Sequence, residues 1–124
     1  MTIAKLALLQ PNVLAIRHTG DADQVILDLH VPSELAHFPG HFPNLPILPG
    51  VVQIDWAIRY SSEYFPLTGQ FVALEDIKFL SITLPDARIQ LTLKWDAKNM
   101  RLTFIYATSE KKHSSGRIVF GFAQ

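Results

Sequence analysis

A single helix candidate constrains the fold of this chain more than any other feature. Residues 51–64 contain neither proline nor glycine, whereas residues 32–49 contain five prolines and one glycine. The repeated prolines of that earlier segment exclude a helix there. Pro49 also stands near the first-turn position that helices favour for proline. Because residues 51–64 are apolar around most of the helical circumference, they predict a buried helix rather than one lying on the surface.

Alternating apolar residues predict strands on both sides of this helix. Every second residue is apolar from 25 to 31 and again from 89 to 95, which is the period of a strand with one buried face. Residues 71–79 form a further predicted strand, with a charged interruption at Glu75 and Asp76. The remaining predicted strands cover residues 102–106 and 118–122, and the predicted turns cover residues 96–99 and 114–116.

One buried helix followed by a run of antiparallel strands predicts the α+β class. The economical arrangement is a curved antiparallel sheet wrapped around one central helix, which is the hotdog fold. A Rossmann-type α/β fold is disfavoured because helices do not alternate with strands. The 124 residues predict one domain spanning 1–124. A domain of this size leaves much apolar surface to cover, so a dimer is expected.

Composition excludes several classes of function. Lysine and arginine total 11, as do aspartate and glutamate, so the net charge does not indicate a nucleic-acid partner. The chain has no cysteine, which excludes disulfides, thiolate nucleophiles and cysteine-based zinc sites. The apolar stretch within Met1–Gln10 is too short for a signal sequence, and nothing else reaches transmembrane length. We therefore expect a cytoplasmic protein without membrane insertion.

The segment from His37 to Ala57 reads HFPGHFPNLPILPGVVQIDWA and carries the chemistry. A rigid proline–glycine loop holds His41, whose imidazole can take or give a proton near neutral pH. Asp55 is a lone carboxylate on the predicted helix, and such a group can move a proton or orient another group. The first N–H groups of the helix, at Gly50, can polarise a carbonyl oxygen.

This segment resembles the 3-hydroxyacyl-acyl-carrier-protein dehydratases of fatty-acid synthesis. Gly40-His41-Phe42-Pro43 matches their GHFP loop, and Pro49-Gly50-Val51 matches the proline–glycine pair that opens their helix. Asp55 stands where the family keeps Glu or Asp, fourteen positions after His41 as in the family. The short chain is most similar to the small dehydratases of aryl-polyene and related specialised lipid pathways.

The resemblance implies a reaction and a role for each matched residue. His41 would be the base that takes the α-proton of a 3-hydroxyacyl thioester. Asp55, contributed by the partner subunit, would help to protonate the departing β-hydroxyl, directly or through water. The Gly50 N–H would hold the thioester oxygen, and the product would be a trans-2-enoyl thioester. The candidate substrate-binding residues are Gly50, Val51, Phe42 and Arg59.

The resemblance also implies the partners. The substrate would be linked to acyl-carrier protein or to coenzyme A, and the reaction needs neither a cofactor nor a metal. Family members build the site across a homodimer interface, so we expect a homodimer or a higher assembly of dimers. Pairing with another hotdog subunit is the other arrangement considered. His37 is interpreted as a loop-packing residue or as part of the tunnel mouth.

Arg59 departs from the family pattern, in which glutamine is usual at this position. Asp55 and Arg59 are i,i+4 neighbours on the predicted helix, and an arginine beside a carboxylate favours its ionised form. An ionised carboxylate is a poor direct acid. If Arg59 reaches Asp55, the acid role passes to a water molecule or to protonated His41.

Other interpretations of the same residues lead to two alternative functions. Asp55 alone could be the structural half of an ion pair with Arg59. Hotdog acyl-thioester hydrolases also use a helix carboxylate, with water as the nucleophile, but they do not need the His41 loop. The second alternative is a non-catalytic subunit that binds acyl chains or pairs with an active hotdog partner. His18, His30 and His113 are expected to be surface or strand-face residues without a role.

Overall fold

The computed structural model describes residues 9–35 and 47–122. Within these ranges one helix packs against a six-stranded antiparallel sheet, which is the α+β hotdog arrangement that the sequence predicts. The strand order across the sheet is β1-β2-β4-β5-β6-β3. The elements are β1 (Asn12–His18), β2 (Gln24–His30), α1 (Gly50–Tyr64), β3 (Gln70–Phe79), β4 (Arg88–Asp96), β5 (Arg101–Ala107) and β6 (Lys112–Gly121).

The predicted alternation holds in the central strands. The inward residues of β2, β4 and β5 are buried, while their neighbours along each strand are more exposed. Trp56 and Ala57 of α1 are fully buried against this surface. The Trp56 indole N–H donates to the Leu9 carbonyl at 3.1 Å, which links the helix to the residues preceding β1. The core therefore lies between α1 and the inner face of the sheet.

The helix is buried on one face only, and this corrects the expectation of a helix buried around most of its circumference. The buried residues are Gln53, Trp56, Ala57, Tyr60 and Ser61. The opposite face is exposed and carries Val51, Asp55 and Arg59. These three residues recur every four positions, so they form one stripe along the helix. We call this stripe the exposed face of α1.

Strand β1 is absent from the sequence prediction. All seven of its residues are exposed, so no alternation of apolar and polar residues marks it. Its pairing with β2 is also irregular between Val13 and Ala15, and a bulge of this kind breaks the two-residue period.

The predicted turn at residues 114–116 is wrong, because these residues lie inside β6. The chain reverses earlier, where the Thr108 N–H donates to the Lys111 carbonyl at 2.9 Å. Ser114 and Gly116 are small because they face the core, and a side chain at Gly116 would meet Ile77 and Phe104. The last predicted strand is also too long, since Phe122 lies beyond β6 and is exposed.

Strand β3 forms one edge of the sheet and pairs, among the described strands, with β6 alone. Its ladder is irregular between Glu75 and Lys78, where Asp76 has a φ of 52°, so the charged interruption in the sequence marks a bulge. Large apolar side chains are exposed along β3 and just after it: Phe71, Val72, Leu74, Phe79, Leu80, Ile82 and Leu84. No helix in the described ranges is long and apolar enough to cross a membrane.

Candidate active site at the start of the helix

Residues 48–50, which we call the helix mouth, present the first N–H groups of α1. Pro49 is the N-cap in an extended conformation and has no side chain that can cap the helix. Its carbonyl accepts the N–H groups of Val52 and Gln53 at 3.1 and 3.3 Å. The N–H groups of Gly50 and Val51 come too early to have an acceptor within the helix. The start of α1 therefore has N–H groups without an acceptor inside the helix, and the binding of a thioester oxygen by the Gly50 N–H stays a prediction.

A cleft of about 320 Å³ opens at the helix mouth, and we call it the first cleft. One wall comes from α1 and the residues before it, and the other comes from the end of β3 and the residues after it. The aromatic ring of Phe79 lies against Gly50, and a Cβ atom at Gly50 would overlap that ring. A larger residue at Gly50 would therefore require the exposed ring of Phe79 to move. The lining residues are Ile47, Leu48, Pro49, Gly50, Gln53, Phe79, Leu80, Ser81 and Ile82.

Asp55 and Arg59 form the ion pair that the i,i+4 spacing predicts. Arg59 Nε donates to Asp55 Oδ2 at 2.7 Å, and the two side chains are 62% and 54% exposed, respectively. In such an exposed pair the Coulomb energy is small, so the contact contributes little to stability. The pair places the guanidinium of Arg59 beside the Asp55 carboxylate.

Asp55 lies in a second cleft, of about 270 Å³, which is otherwise apolar. We call it the second cleft; its other lining residues are Val51, Ile54, Ile58, Phe71 and Leu74. In the single chain, Gly50 and Asp55 thus belong to two different clefts beside one helix. Two of the predicted substrate-binding residues are likewise in different clefts. Gly50 lines the first cleft, whereas Val51 lines the second cleft together with Asp55.

The predicted base lies outside the described residues. His41, Phe42 and His37 all fall between residues 36 and 46. The predicted meeting of His41 with Asp55 stays a prediction.

A buried polar network behind the first cleft was not predicted from the sequence. Gln53 is only 4% exposed, and its Nε2 donates to the Leu48 carbonyl at 3.2 Å. The Ser114 hydroxyl donates to Gln53 Oε1, and the Tyr106 hydroxyl donates to the Gln53 main-chain carbonyl, each at 2.6 Å. Burial raises the pKa of Tyr106 well above its usual value, so this phenol remains a protonated donor.

The expectation that His113 has no structural role is wrong. The side chain is buried, and its Nδ1 lies 3.1 Å from Thr83 Oγ1. Burial and the charge of Lys111 both lower the pKa of His113, which favours the neutral ring. The main-chain carbonyl of His113 accepts the N–H groups of Leu80 and Ser81 at 2.8 and 3.1 Å. His113 therefore supports the wall of the first cleft that is formed by the end of β3 and the residues after it.

The sequence model of the ApeI-like family, described as ApeI dehydratase, matches residues 17–117. The chain belongs to this dehydratase family. A protein of Halalkalibacterium halodurans described as an uncharacterized thioester dehydrase is 26% identical over 113 residues, which cover 81% of this chain and 72% of that relative. The 3-hydroxyacyl-[acyl-carrier-protein] dehydratase FabZ of Streptococcus equi subsp. zooepidemicus is 22% identical over 113 residues, covering 82% and 80%. The predicted resemblance to hotdog dehydratases is confirmed.

Solved structures agree with the fold. A chain of the dehydratase heterocomplex ApeI:P from Xenorhabdus doucetiae matches with a TM-score of 0.81 and 31% identity, covering 89% of this chain and 96% of that chain. An uncharacterized protein from Erwinia carotovora subsp. atroseptica matches with a TM-score of 0.79 and 34% identity, covering 90% and 96%. The dehydratase domain of the CurF module of curacin polyketide synthase, at 17% identity and a TM-score of 0.65, shares the fold; the match covers 94% of this chain and 44% of that chain.

Proposed function

We propose that this dehydratase removes water from a 3-hydroxyacyl thioester carried on acyl-carrier protein or coenzyme A, in cytoplasmic fatty-acid or polyene-type lipid synthesis. The observation that carries the proposal is the family match over residues 17–117, because it spans both His41 and Asp55. The helix mouth supports it, since a thioester oxygen needs N–H donors of the kind that Gly50 presents.

In the proposed reaction His41 takes the α-proton, and the electron pair moves towards the thioester carbonyl. The Gly50 N–H stabilises the negative charge on that oxygen. This electron pair then forms the double bond between the α and β carbons, as the β-hydroxyl takes up one proton and leaves as water. The products are a trans-2-enoyl thioester and water, so atoms and charge balance.

Asp55 acts in this proposal as a hydrogen-bond acceptor. Its Oδ2 already accepts a hydrogen bond from Arg59 Nε, and carboxylate oxygens have further lone pairs that can accept from water. Asp55 would therefore orient a water molecule at the β-hydroxyl. Protonated His41 would supply the proton, either directly or through that water, and would thereby return to its neutral form.

Assembly with a second hotdog subunit would complete the site. Gly50 and Asp55 lie in separate clefts of one chain, whereas the dehydratases that this sequence resembles take the acid from a partner subunit. The exposed apolar residues of β3 and the second cleft offer a surface for such a partner. We propose either a homodimer or a heterodimer, and the structure described as the ApeI:P heterocomplex supports the second arrangement.

Two thioesters test the function. The purified chain is incubated with a 3-hydroxyacyl thioester and, separately, with a saturated acyl thioester of the same length. Enoyl absorbance from the first substrate, without free thiol from the second, is the expected result. Free thiol from the saturated substrate would instead support an acyl-thioester hydrolase. No product from either, with carrier-linked substrates included, would support a non-catalytic hotdog subunit.

A pair of histidine variants makes the same assay specific. His41→Ala is expected to remove enoyl formation while leaving the assembly unchanged. His18→Ala is the matched control, because His18 is exposed on β1, and it should keep wild-type turnover. Full turnover in His41→Ala would overturn the assigned base.

A further inference from the structure

Gln53 holds together the wall of the first cleft. It stands one helical turn after Gly50 and lines the same cleft, yet its side chain is almost completely buried. A buried primary amide costs free energy unless its donors and acceptors are paired. Its carbonyl oxygen and its nitrogen are both paired, at 2.6 Å to Ser114 and 3.2 Å to Leu48.

The bond to Leu48 ties the amide to the helix mouth. Leu48 lies two residues before Gly50, and its carbonyl accepts from Gln53 Nε2. The N–H of Leu48 donates to the Thr83 carbonyl at 2.9 Å, so both polar groups of its peptide backbone are occupied. Pro49 supplies no capping side chain. The segment that leads into α1 is thus held from within the core by Gln53.

The bond from Ser114 ties the same amide to the sheet. Ser114 lies on β6, 61 positions away in the sequence, directly after His113. The His113 carbonyl accepts the N–H groups of Leu80 and Ser81, which line the opposite wall of the first cleft. Gln53 therefore connects the helix mouth to the strand that supports the opposite wall.

We propose that Gln53 is a positioning residue for dehydration, which keeps the Gly50 N–H aligned with the thioester oxygen through Leu48. This inference rests on the proposed function, in which Gly50 stabilises the charge on that oxygen. An oxyanion donor acts only at the right distance and angle, so loss of its support reduces turnover more than substrate binding. A purely structural Gln53 would affect stability alone.

The test compares Gln53→Met with Tyr106→Phe in the full chain. Gln53→Met keeps the side-chain volume but removes both amide hydrogen bonds. Tyr106→Phe removes the hydrogen bond to the main-chain carbonyl of the same residue, and so serves as the matched control. We expect Gln53→Met to lower kcat roughly 10- to 100-fold with KM changed by less than about threefold. Tyr106→Phe should keep kcat within about twofold of wild type at temperatures where both are folded.

Unchanged kcat in folded Gln53→Met would overturn the inference, as would an equal loss in Tyr106→Phe. If Gln53→Met does not fold, Ser114→Ala decides, since it frees Gln53 Oε1; a fall in kcat supports the inference and wild-type kcat overturns it. Absence of turnover in the wild-type chain would overturn the proposed function instead.

Hydrogen exchange of main-chain amides tests whether Gln53 positions the helix mouth. The Leu48 and Val52 amides, which donate to the Thr83 and Pro49 carbonyls, should exchange faster in Gln53→Met while that of Ala57 does not, and unchanged exchange would overturn the inference.

Discussion

The two faces of α1 differ in how far the rest of the chain covers them. Trp56 and Ala57 are fully buried by the inner face of the sheet, so the chain itself supplies every neighbour that this face needs. Val51, one step from the helix mouth, is 75% exposed, and Asp55 and Arg59 follow it on the same stripe. The residues of α1 that stabilise the core therefore lie on one face of the helix, and the candidate catalytic residue Asp55 lies on the other.

The surroundings of the exposed face are apolar. Ile54, Ile58, Phe71 and Leu74 surround Asp55 in the second cleft. Contiguous apolar surface of this kind marks a binding site on a soluble protein. The buried face is therefore completed within one chain, whereas the exposed face is the one that we propose to be shared with a substrate or a partner subunit. Substitutions on the two faces should therefore fail in different assays.

The largest effect is expected on the buried face, from Trp56→Ala. This change leaves a cavity in the core and removes the hydrogen bond from the indole to the Leu9 carbonyl. We expect it to lower the free energy of unfolding by about 3–5 kcal/mol, as for large aromatic truncations in other cores. Urea denaturation measures the loss, with Trp56→Phe as the milder control. A loss below about 1 kcal/mol would show that this face is not a complete core.

The neighbouring residue on the exposed face should behave in the opposite way. Asp55→Asn removes the negative charge but keeps the shape, and we expect a fall in kcat of about 100-fold. The free energy of unfolding should change by less than about 0.5–1 kcal/mol, because the pair with Arg59 is exposed. Glu63→Gln, an exposed carboxylate on the same helix, is the control. Equal activity of the two variants would remove Asp55 from the site.

Elements with one buried face could be predicted from the sequence, whereas an element without a buried face could not. The strands β2, β4 and β5 were predictable because each has one buried face, which imposes a strict alternation. Strand β1 was missed because neither of its faces is buried in the chain. The Asp55–Arg59 pair was predictable because both residues lie on one helix, so spacing alone places them together.

Contacts between distant parts of the sequence were not predictable in this way. Gln53 appeared to be one polar residue in an apolar run, since Ser114 and Tyr106 lie 61 and 53 positions away. Ser114 was assigned to a turn because serine and glycine favour turns, whereas in the structure its buried hydroxyl donates to Gln53 of α1. The place of His41 came from the family motif, and its distance to Asp55 is still a prediction.

A smaller effect is expected from Leu74→Lys, which should change the affinity between subunits rather than the folding of each chain. Leu74 is 41% exposed and lines the second cleft, so burial of this side chain by a partner subunit would stabilise the dimer. We expect Leu74→Lys to weaken dimerisation by roughly 2 kcal/mol, about 30-fold in Kd. Analytical ultracentrifugation measures the change. Ile16→Lys, at 43% exposure on the other edge of the sheet, should leave Kd unchanged, and equal weakening in both would place the interface elsewhere.

The smallest effect concerns Ser61, at the boundary between the two faces. The side chain is fully buried, and its hydroxyl oxygen has no hydrogen-bond partner within the part of the chain that the structure describes. Because an unpaired buried hydroxyl costs free energy, Ser61→Ala should raise the free energy of unfolding by up to about 1 kcal/mol. Ser62→Ala is the matched control, since the Ser62 hydroxyl is exposed and donates to the Arg59 carbonyl at 2.6 Å. Destabilisation by Ser61→Ala would mean that this hydroxyl finds a partner in the assembled protein, and the buried face of α1 would then not be completed by the chain alone.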